Sequence, residues 1–429
     1  MTEATTCDNL SQLKSNSAKK RFSYVILLSI ALTCVALFIN SEKTLMNIFF
    51  SNNVVFFSDF SDSIYDSMFK DPYVERGVIY PAFIYVFYRI IGSIIPTDVI
   101  VGGTYSIRDS YYGQLLFQAY NFLVFIALFC SIIRIMQSKD KTNKVFALAL
   151  VLSSPVLYAY QRGNSIILSL VFLLLFFGYK NSEKMYQREF ALVFLSIAAN
   201  IKLYPAVFGI MLLADRKFVQ ALRCMIYGII LFVLPFFFFG GLKDIYVMFV
   251  NILRTGGVFS TQYGYQVGIR HLLSYIAAVT SRPEIVARTR AVTVIVLMLL
   301  LIIVFFSKKY FRKVLALGLM CTLIPGFSWI YTTVYMIPAV IYYYMDRSYH
   351  KKNYIYPFCF LLLLCQFPID VSAILPVVKK PEFFSLIYNM TLSTVLSNIA
   401  LWVLLIVSFA DTVFEYTNRI FGYNIRSKS

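Results

Sequence analysis

Charge is scarce in this chain of 429 residues. Asp, Glu, Lys and Arg make up 14% of it and hydrophobic residues 59%, whereas a soluble domain carries about 25% charged residues. No polar stretch is long enough to form a soluble domain of its own, so the deficit fits repeated crossing of a bilayer. Acids are the scarcer sign: 21 Asp and Glu stand against 39 Lys and Arg, a net charge of +18. With so much apolar content, that excess belongs to the cytoplasmic loops of a membrane protein and excludes nucleic acid as a partner. Histidine is nearly missing. His271 and His350 are the two present, which excludes a histidine-based metal cluster, although carboxylates remain able to hold magnesium or manganese. The 7 cysteines are odd in number and form no CxxC, so a full disulfide framework is excluded. Six of them lie in apolar runs, and Cys7 sits in the polar N-terminal stretch. Internal repeats and low-complexity linkers are absent as well.

Apolar runs dominate what is present. They cover residues 22–40, 80–95, 115–136, 145–160, 165–179, 190–214, 225–239, 291–306, 314–324, 331–345, 354–367 and 386–410. A full crossing takes about 20 residues. Several runs are shorter, as half-helices flanking a polar cavity would be. The 41 Phe and 32 Tyr suit a body packed in lipid, with phenol groups reaching interfaces or cavities. The expected architecture is an all-α polytopic integral membrane protein with short re-entrant or broken helices around an extracytoplasmic cavity. Residues 1–21 form a cytoplasmic tail, 22–410 a single transmembrane domain with outer loops at 41–79 and 240–290, and 411–429 a second cytoplasmic tail. The 22–40 run reads as an uncleaved anchor: it is too long for a signal-peptide core, and no A-x-A-like site follows.

Basic clusters set the sidedness. Lys139, Lys141 and Lys144 form one loop, and Lys180, Lys184 and Arg188 another. Arg216, Lys217 and Arg223 follow, then Lys308, Lys309, Arg312 and Lys313, then Arg347, Lys351 and Lys352. Arg419, Arg426 and Lys428 end the chain. Placing all of these in the cytoplasm sends the intervening turns to the opposite face. Between the outer 58–81 loop and the inner Lys139 loop the number of crossings must be odd, yet two apolar runs lie there. Either one of them re-enters or lies in the interface, or 190–214 is one long kinked helix and the sidedness upstream is reversed.

The 58–81 interval, SDFSDSIYDSMFKDPYVERGVIYP, gathers Asp59, Asp62, Asp66, Asp71 and Glu75. A carboxylate near the membrane surface can accept the proton of an attacking hydroxyl; the ordinary alternative for each acid is a helix cap or a solvated face. Arg162, in Gln161-Arg162-Gly163-Asn164, suits a bidentate phosphate contact or a snorkelling position beside a tight turn, and Asn164 fits the turn. Lys202, in Lys202-Leu203-Tyr204-Pro205, has about a dozen apolar residues on each side. Burying that charge costs about 2.5–3.5 kcal/mol on the insertion scale, so an anionic lipid phosphate is its natural partner. The second outer loop offers Gln266, Arg270 and His271 beside Tyr263 and Gln262, groups that suit a sugar and a phosphate or an ordinary polar loop. Residues 268–273 open an amphipathic run of interfacial type.

Asp59-Phe60, Pro72-Tyr73 and Tyr80-Pro81 opening the next run, followed in order by the Arg162, Lys202 and Pro325–Trp329 turns, resemble the C-type glycosyltransferases. Among these the chain is most similar to glycosyltransferase family 87. The resemblance runs from about Asp59 to Tyr343, with one mild departure: the usual Tyr-Pro-Pro is here Tyr80-Pro81-Ala82. It implies a polyprenyl-phosphate-sugar donor, a hexose or mannose-like unit to transfer, and a glycan or glycolipid hydroxyl as acceptor. It further implies a multi-pass protein of the bacterial cytoplasmic membrane with its site facing outward, and no metal or other cofactor. Asp59 is then the general base of an inverting transfer. Asp62, Arg162, Asn164, Lys202, Tyr204, Gln266 and Arg270 bind substrate. Two rivals stand beside this reading, a polysaccharide repeat-unit polymerase and a transporter or flippase of lipid-linked glycans. A transporter calls for ionisable groups in several helices or related halves, whereas Lys202 is the chief one here.

Overall fold

The computed structural model describes residues 2–48, 57–137, 140–258, 262–263, 266–346, 354–371, 385–386 and 390–426. Lys139, Gly264, Tyr265, Arg347, His350, Lys351, Lys352 and Lys428 lie outside them. In a bilayer every backbone polar group must be paired within the protein, which leaves helices as the economical element. Among the described residues five helices are long and apolar enough to cross a membrane: Asn16–Ile39, Tyr111–Met136, Phe218–Phe238, Thr289–Phe306 and Leu392–Arg419. The chain is an all-α, multi-pass membrane protein. Its sheet among these residues is one parallel pair, Gln262–Tyr263 with Ser385–Leu386.

The helices group into two compact units. One comprises residues 41–139 and 155–259, the other 1–40, 140–154 and 260–429. The second unit is organised around Tyr310–Leu323, buried from Phe311 onward except at Lys313. This helix packs on Thr289–Phe306, Ile337–Met345 and Leu392–Arg426. In the first unit Ile166–Tyr179 packs on Tyr111–Met136 and on Met185–Ile201, which in turn packs on Phe218–Val233. Small polar side chains stitch these contacts: Ser169 Oγ donates to Ala198 O at 2.9 Å, and Asn200 Nδ2 to Gly228 O at 3.2 Å.

Two apolar runs of the first unit take forms that the run lengths alone left open. Run 80–95 becomes Ala82–Gly92, 11 residues, or about 17 Å of helix against a hydrocarbon core of about 30 Å. Two short helices follow, Thr97–Val101 and Gly103–Asp109, and then the 26-residue Tyr111–Met136. One of the two disputed runs is therefore long enough to cross and the other is not, in keeping with an odd number of crossings.

Run 190–214 is a hairpin and not one kinked helix. Met185–Ile201 ends at Lys202, which is extended (φ −141°, ψ 133°). A 3-10 turn at Tyr204–Gly209 and the helix Ile210–Ala214 then lead back. Pro205 explains the break, since proline lacks the amide proton and disfavours helix in the residue before it. The reversal is pinned at its far end, where Lys180 pairs with Asp215 at 3.4 Å and Lys217 Nζ donates to Asn181 at 3.1 Å.

Candidate active site

The helix Ser58–Ser67 starts from Phe57, a residue in the left-handed region at φ 58°. That conformation is uncommon for a large side chain. It is held by the Phe57 amide donating to Gln161 O at 3.1 Å and by the Phe57 ring stacked on Phe117. Phe60 and Ile64 are buried, while Asp59, Asp62 and Asp66, three and four residues apart, form one acidic stripe.

Three of the five acids in the 58–81 interval serve the fold. Asp66 pairs with Arg76 at 2.8 Å. Asp71 caps Pro72–Glu75 through Val74 N at 3.1 Å and takes Lys243 at 2.9 Å. Glu75 accepts from Asp71 N at 2.9 Å. Asp59 and Asp62 remain.

The partners of Asp59 come from the turn between Ser154–Arg162 and Ile166–Tyr179. Arg162 grips the carboxylate with both arms, Nε to Oδ2 at 2.8 Å and a terminal nitrogen to Oδ1. Such a fork fixes orientation as well as charge. Asn164 Nδ2 also donates to Asp59 Oδ2, at 2.5 Å, while its own Oδ1 accepts from Ile166 N at 2.9 Å and caps the next helix. Gly163 between them has φ +66°, and a Cβ there would lie 2.6 Å from Phe60 Cβ. The turn thus requires glycine for both conformation and space. The bidentate edge of Arg162, expected on a phosphate, is turned to Asp59.

Lys202 reaches the same place from the hairpin apex. It is 3% exposed, and its ammonium sits 3.3 Å from the centroid of the Tyr80 ring, a cation–π seat. The position also lies at the carbonyl end of Met185–Ile201, where the helix dipole favours a cation. Among the described residues this ammonium makes no hydrogen bond; the charge of Asp59 is felt there instead. The Tyr204 phenol lies close enough to Tyr80 for the two to interact.

Electrostatics separate the two acids. Burial opposes ionisation of Asp59, but the Arg162 charge, hydrogen bonds from Arg162 and Asn164, and the Lys202 charge outweigh it and hold the carboxyl below its usual range. Asp62 goes the other way, to about 6: the surrounding protein and then the charges of Asp59 and Asp66 raise it, against a hydrogen bond from Thr104. Its side chain is open at the tip even so.

Asp59, Arg162, Asn164, Lys202 and Tyr204 are thus gathered within one unit, with Asp62 one turn along the helix. Gln266 and Arg270 belong to the other unit. There Gln266 is buried, bridges to Trp329 and accepts from Asn398 Nδ2 at 3.1 Å through its backbone. Arg270 is half-buried on Ile269–Thr280. Sequence reasoning noted Tyr80 only as part of a motif and missed its role as the seat of Lys202. It also missed Ser58 Oγ and both amide atoms of Gln161, neighbours in the chain of Asp59 and Arg162, which are buried without a hydrogen-bond partner among the described residues. Each such group costs about 1–3 kcal/mol when left unmet. No composition signal marks them, since their interest arises from burial. Among the described residues no three His, Cys, Asp or Glu side chains gather as a metal site would need.

An oriented carboxylate thus stands with a buried ammonium whose charge it feels, on a polytopic helical scaffold. Residues 107–346, more than half of the chain, match the profile of glycosyltransferase family 87. The chain belongs to that family and is a membrane glycosyltransferase. The matched stretch holds Arg162, Asn164, Lys202, Tyr204, Gln266 and Arg270 and begins after Asp59 and Asp62. A comparison with curated proteins finds no match, and one with solved structures finds none either.

Proposed function

We propose that this glycosyltransferase moves a hexose or mannose-like unit from a polyprenyl-phosphate donor to a hydroxyl of a lipid-linked or surface glycan on the extracytoplasmic side. The carrying observation is the meeting of one ionised carboxylate, Asp59, with the buried Lys202 ammonium. Asp59 Oδ2 accepts two hydrogen bonds and Oδ1 one, so Oδ1 retains a lone pair for the acceptor hydroxyl.

In the proposed step the acceptor oxygen attacks the anomeric carbon and its proton passes to Asp59. The bond from that carbon to the phosphate oxygen breaks, and the lipid phosphate leaves with the electron pair. Lys202 meets the negative charge that grows on the departing phosphate. Arg162 and Asn164 hold the carboxylate in line, and Asp62, exposed one turn along the helix, supplies hydrogen bonds to sugar hydroxyls. The outward orientation is supported by the basic residues Lys180, Lys217 and Arg223, which lie toward the ends of their helices remote from Lys202 and suit the cytoplasmic side.

The test is transfer from a panel of radiolabelled polyprenyl-phosphate sugars by membranes carrying the wild-type chain or Asp59→Asn. Transfer with the wild type and its loss in Asp59→Asn at equal protein level is the expected result. Equal transfer by both removes Asp59 from the role of base, and no transfer from any member of the panel removes the donor class.

A further inference from the structure

Tyr80 carries the Lys202 ammonium on its ring face at 3.3 Å, and Tyr80 is itself fixed from several sides. Proline at the next position disfavours helix in the residue before it, so the helix starts at Ala82 and Tyr80 stays on the approach to it. That approach is tied down by residues remote in the chain. Tyr73, 1% exposed, donates its phenol proton to Tyr80 O at 2.9 Å. Asn251 Nδ2 donates to Tyr73 O at 2.9 Å and to Val78 O at 3.1 Å. Asn251 belongs to the helix Lys243–Val258, which packs on Pro72–Glu75. The Tyr85 ring stacks on Tyr80, 6.3 Å between centroids and 23° from parallel. All of these residues lie within the Asp59 unit.

The side chain of Tyr80 has two contacts of different kinds. Its face meets Lys202, and its phenol lies close enough to Asn164 and Tyr204 to interact with both. Asn164 in turn donates to Asp59 Oδ2. One residue thus touches both the cation and a group that steadies the carboxylate. An aliphatic side chain of similar size would fill the same space. It would have no negative ring face to set against a desolvated ammonium. Lys202 is 3% exposed and its ammonium makes no hydrogen bond among the described residues, so the ring is the contact that such a replacement would remove.

We infer that Tyr80 is the positioning residue for Lys202, and that Tyr73 and Asn251 act through it, so that the helix Lys243–Val258 fixes where the ammonium stands relative to Asp59. The inference rests on the role proposed above for Lys202 and adds what places that cation. Tyr80 touches no reacting atom in the proposed step; it acts through Lys202.

The substrate-free test is thermal unfolding of the purified full chain in detergent, with Tyr80→Phe and then with mono-, di- and trifluorinated phenylalanine in the same position. Each fluorine draws negative charge from the ring face with little change of shape. The unfolding temperature is expected to fall step by step in the chain that retains Lys202 and to stay level in Lys202→Gln. Equal slopes in the two backgrounds, or no slope in either, overturn the seat. In transfer assays Tyr80→Leu lowers kcat/KM about 30-fold, equivalent to about 2 kcal/mol at about 1.4 kcal/mol per factor of ten. Tyr80→Phe, which keeps the ring, stays within about fivefold of wild type. Asn251→Leu and Tyr73→Phe each lower kcat/KM about fivefold, the worth of about one hydrogen bond. None of these losses is added to that of Lys202→Gln. A Tyr80→Leu enzyme as active as wild type, or losses that persist in full in Lys202→Gln, overturn the positioning role and leave the Asp59 chemistry standing. A chain that transfers nothing from the donor panel fails the donor class, while the unfolding series still decides the seat.

Discussion

Two arginines in this protein grip carboxylates out of water, to different ends. In one unit Arg312, with a fully buried side chain, meets Asp411 at 3.7 Å and makes a close contact with Glu415. Tyr356 OH donates to Asp411 at 2.9 Å. Two acids answer one cation, and the cluster ties Tyr310–Leu323 to the terminal helix Leu392–Arg426. In the other unit Arg162 forks onto Asp59, and Lys202 and Asp62 are coupled to the same carboxylate. Under the function proposed above that group is a site for an anionic substrate, whereas the Arg312 group ties two helices together. Both look alike as ion pairs, and their place in the proposed reaction is what separates them.

The largest effect that would sharpen this contrast is in the reaction itself. Asp59→Asn keeps the shape and one acceptor but removes the base, and transfer is expected to fall by about 10²–10⁴-fold at unchanged expression. The mirror experiment is Arg312→Met. It leaves the partly exposed Asp411 and Glu415 without their buried cation and is expected to cost about 1–3 kcal/mol of stability, read as a lower temperature of inactivation in detergent. KM and kcat of the surviving enzyme should match wild type. A stable Arg312→Met enzyme with a large kinetic defect would erase the distinction between the two clusters.

Lys202→Gln comes next. Loss of a charge-assisted contact to the phosphate is expected to lower kcat/KM by roughly 10–100-fold, with Lys202→Arg recovering part of it. The smallest effect belongs to Asp62. Its carboxyl is raised from 3.8 to about 6 in the fold, so its protonated form is the one the fold favours. That contribution is present below pH 3.8 and is lost as the pH rises through 6. Asp62→Asn should therefore melt slightly higher than wild type at pH 7.5 and equally near pH 3.5, as differential scanning fluorimetry would detect.

Much of the architecture could be read before any coordinates. The apolar runs gave helices, and the turns at Arg162 and Lys202 fell where Gly163 and Pro205 punctuate the chain. Run length left Ala82–Gly92 open, because a window of hydropathy cannot tell a crossing helix from a short one buried by its neighbours. The site was legible in part for a similar reason. Lys202 announced itself as a lone charge among apolar residues, and Asp59 as an acid in an acid-poor chain. Which of five clustered acids is engaged by Arg162, and that Asp66, Asp71 and Glu75 serve Arg76, Lys243 and a helix cap, depended on contacts between residues up to 172 positions apart. Tyr80 and Gln161 carry no sequence signal of their own.

Composition and order alone therefore determined that the chain lives in a bilayer, that it is helical, and which few polar residues would have to be explained there, because hydrocarbon charges the same penalty wherever a polar group falls. Only the tertiary structure decided how those groups were matched. It set Arg162 and Asn164 on Asp59, laid Lys202 over Tyr80, and tied Asn251 to Tyr73. Pairing is a property of distance between remote segments, and no local pattern of residues encodes it.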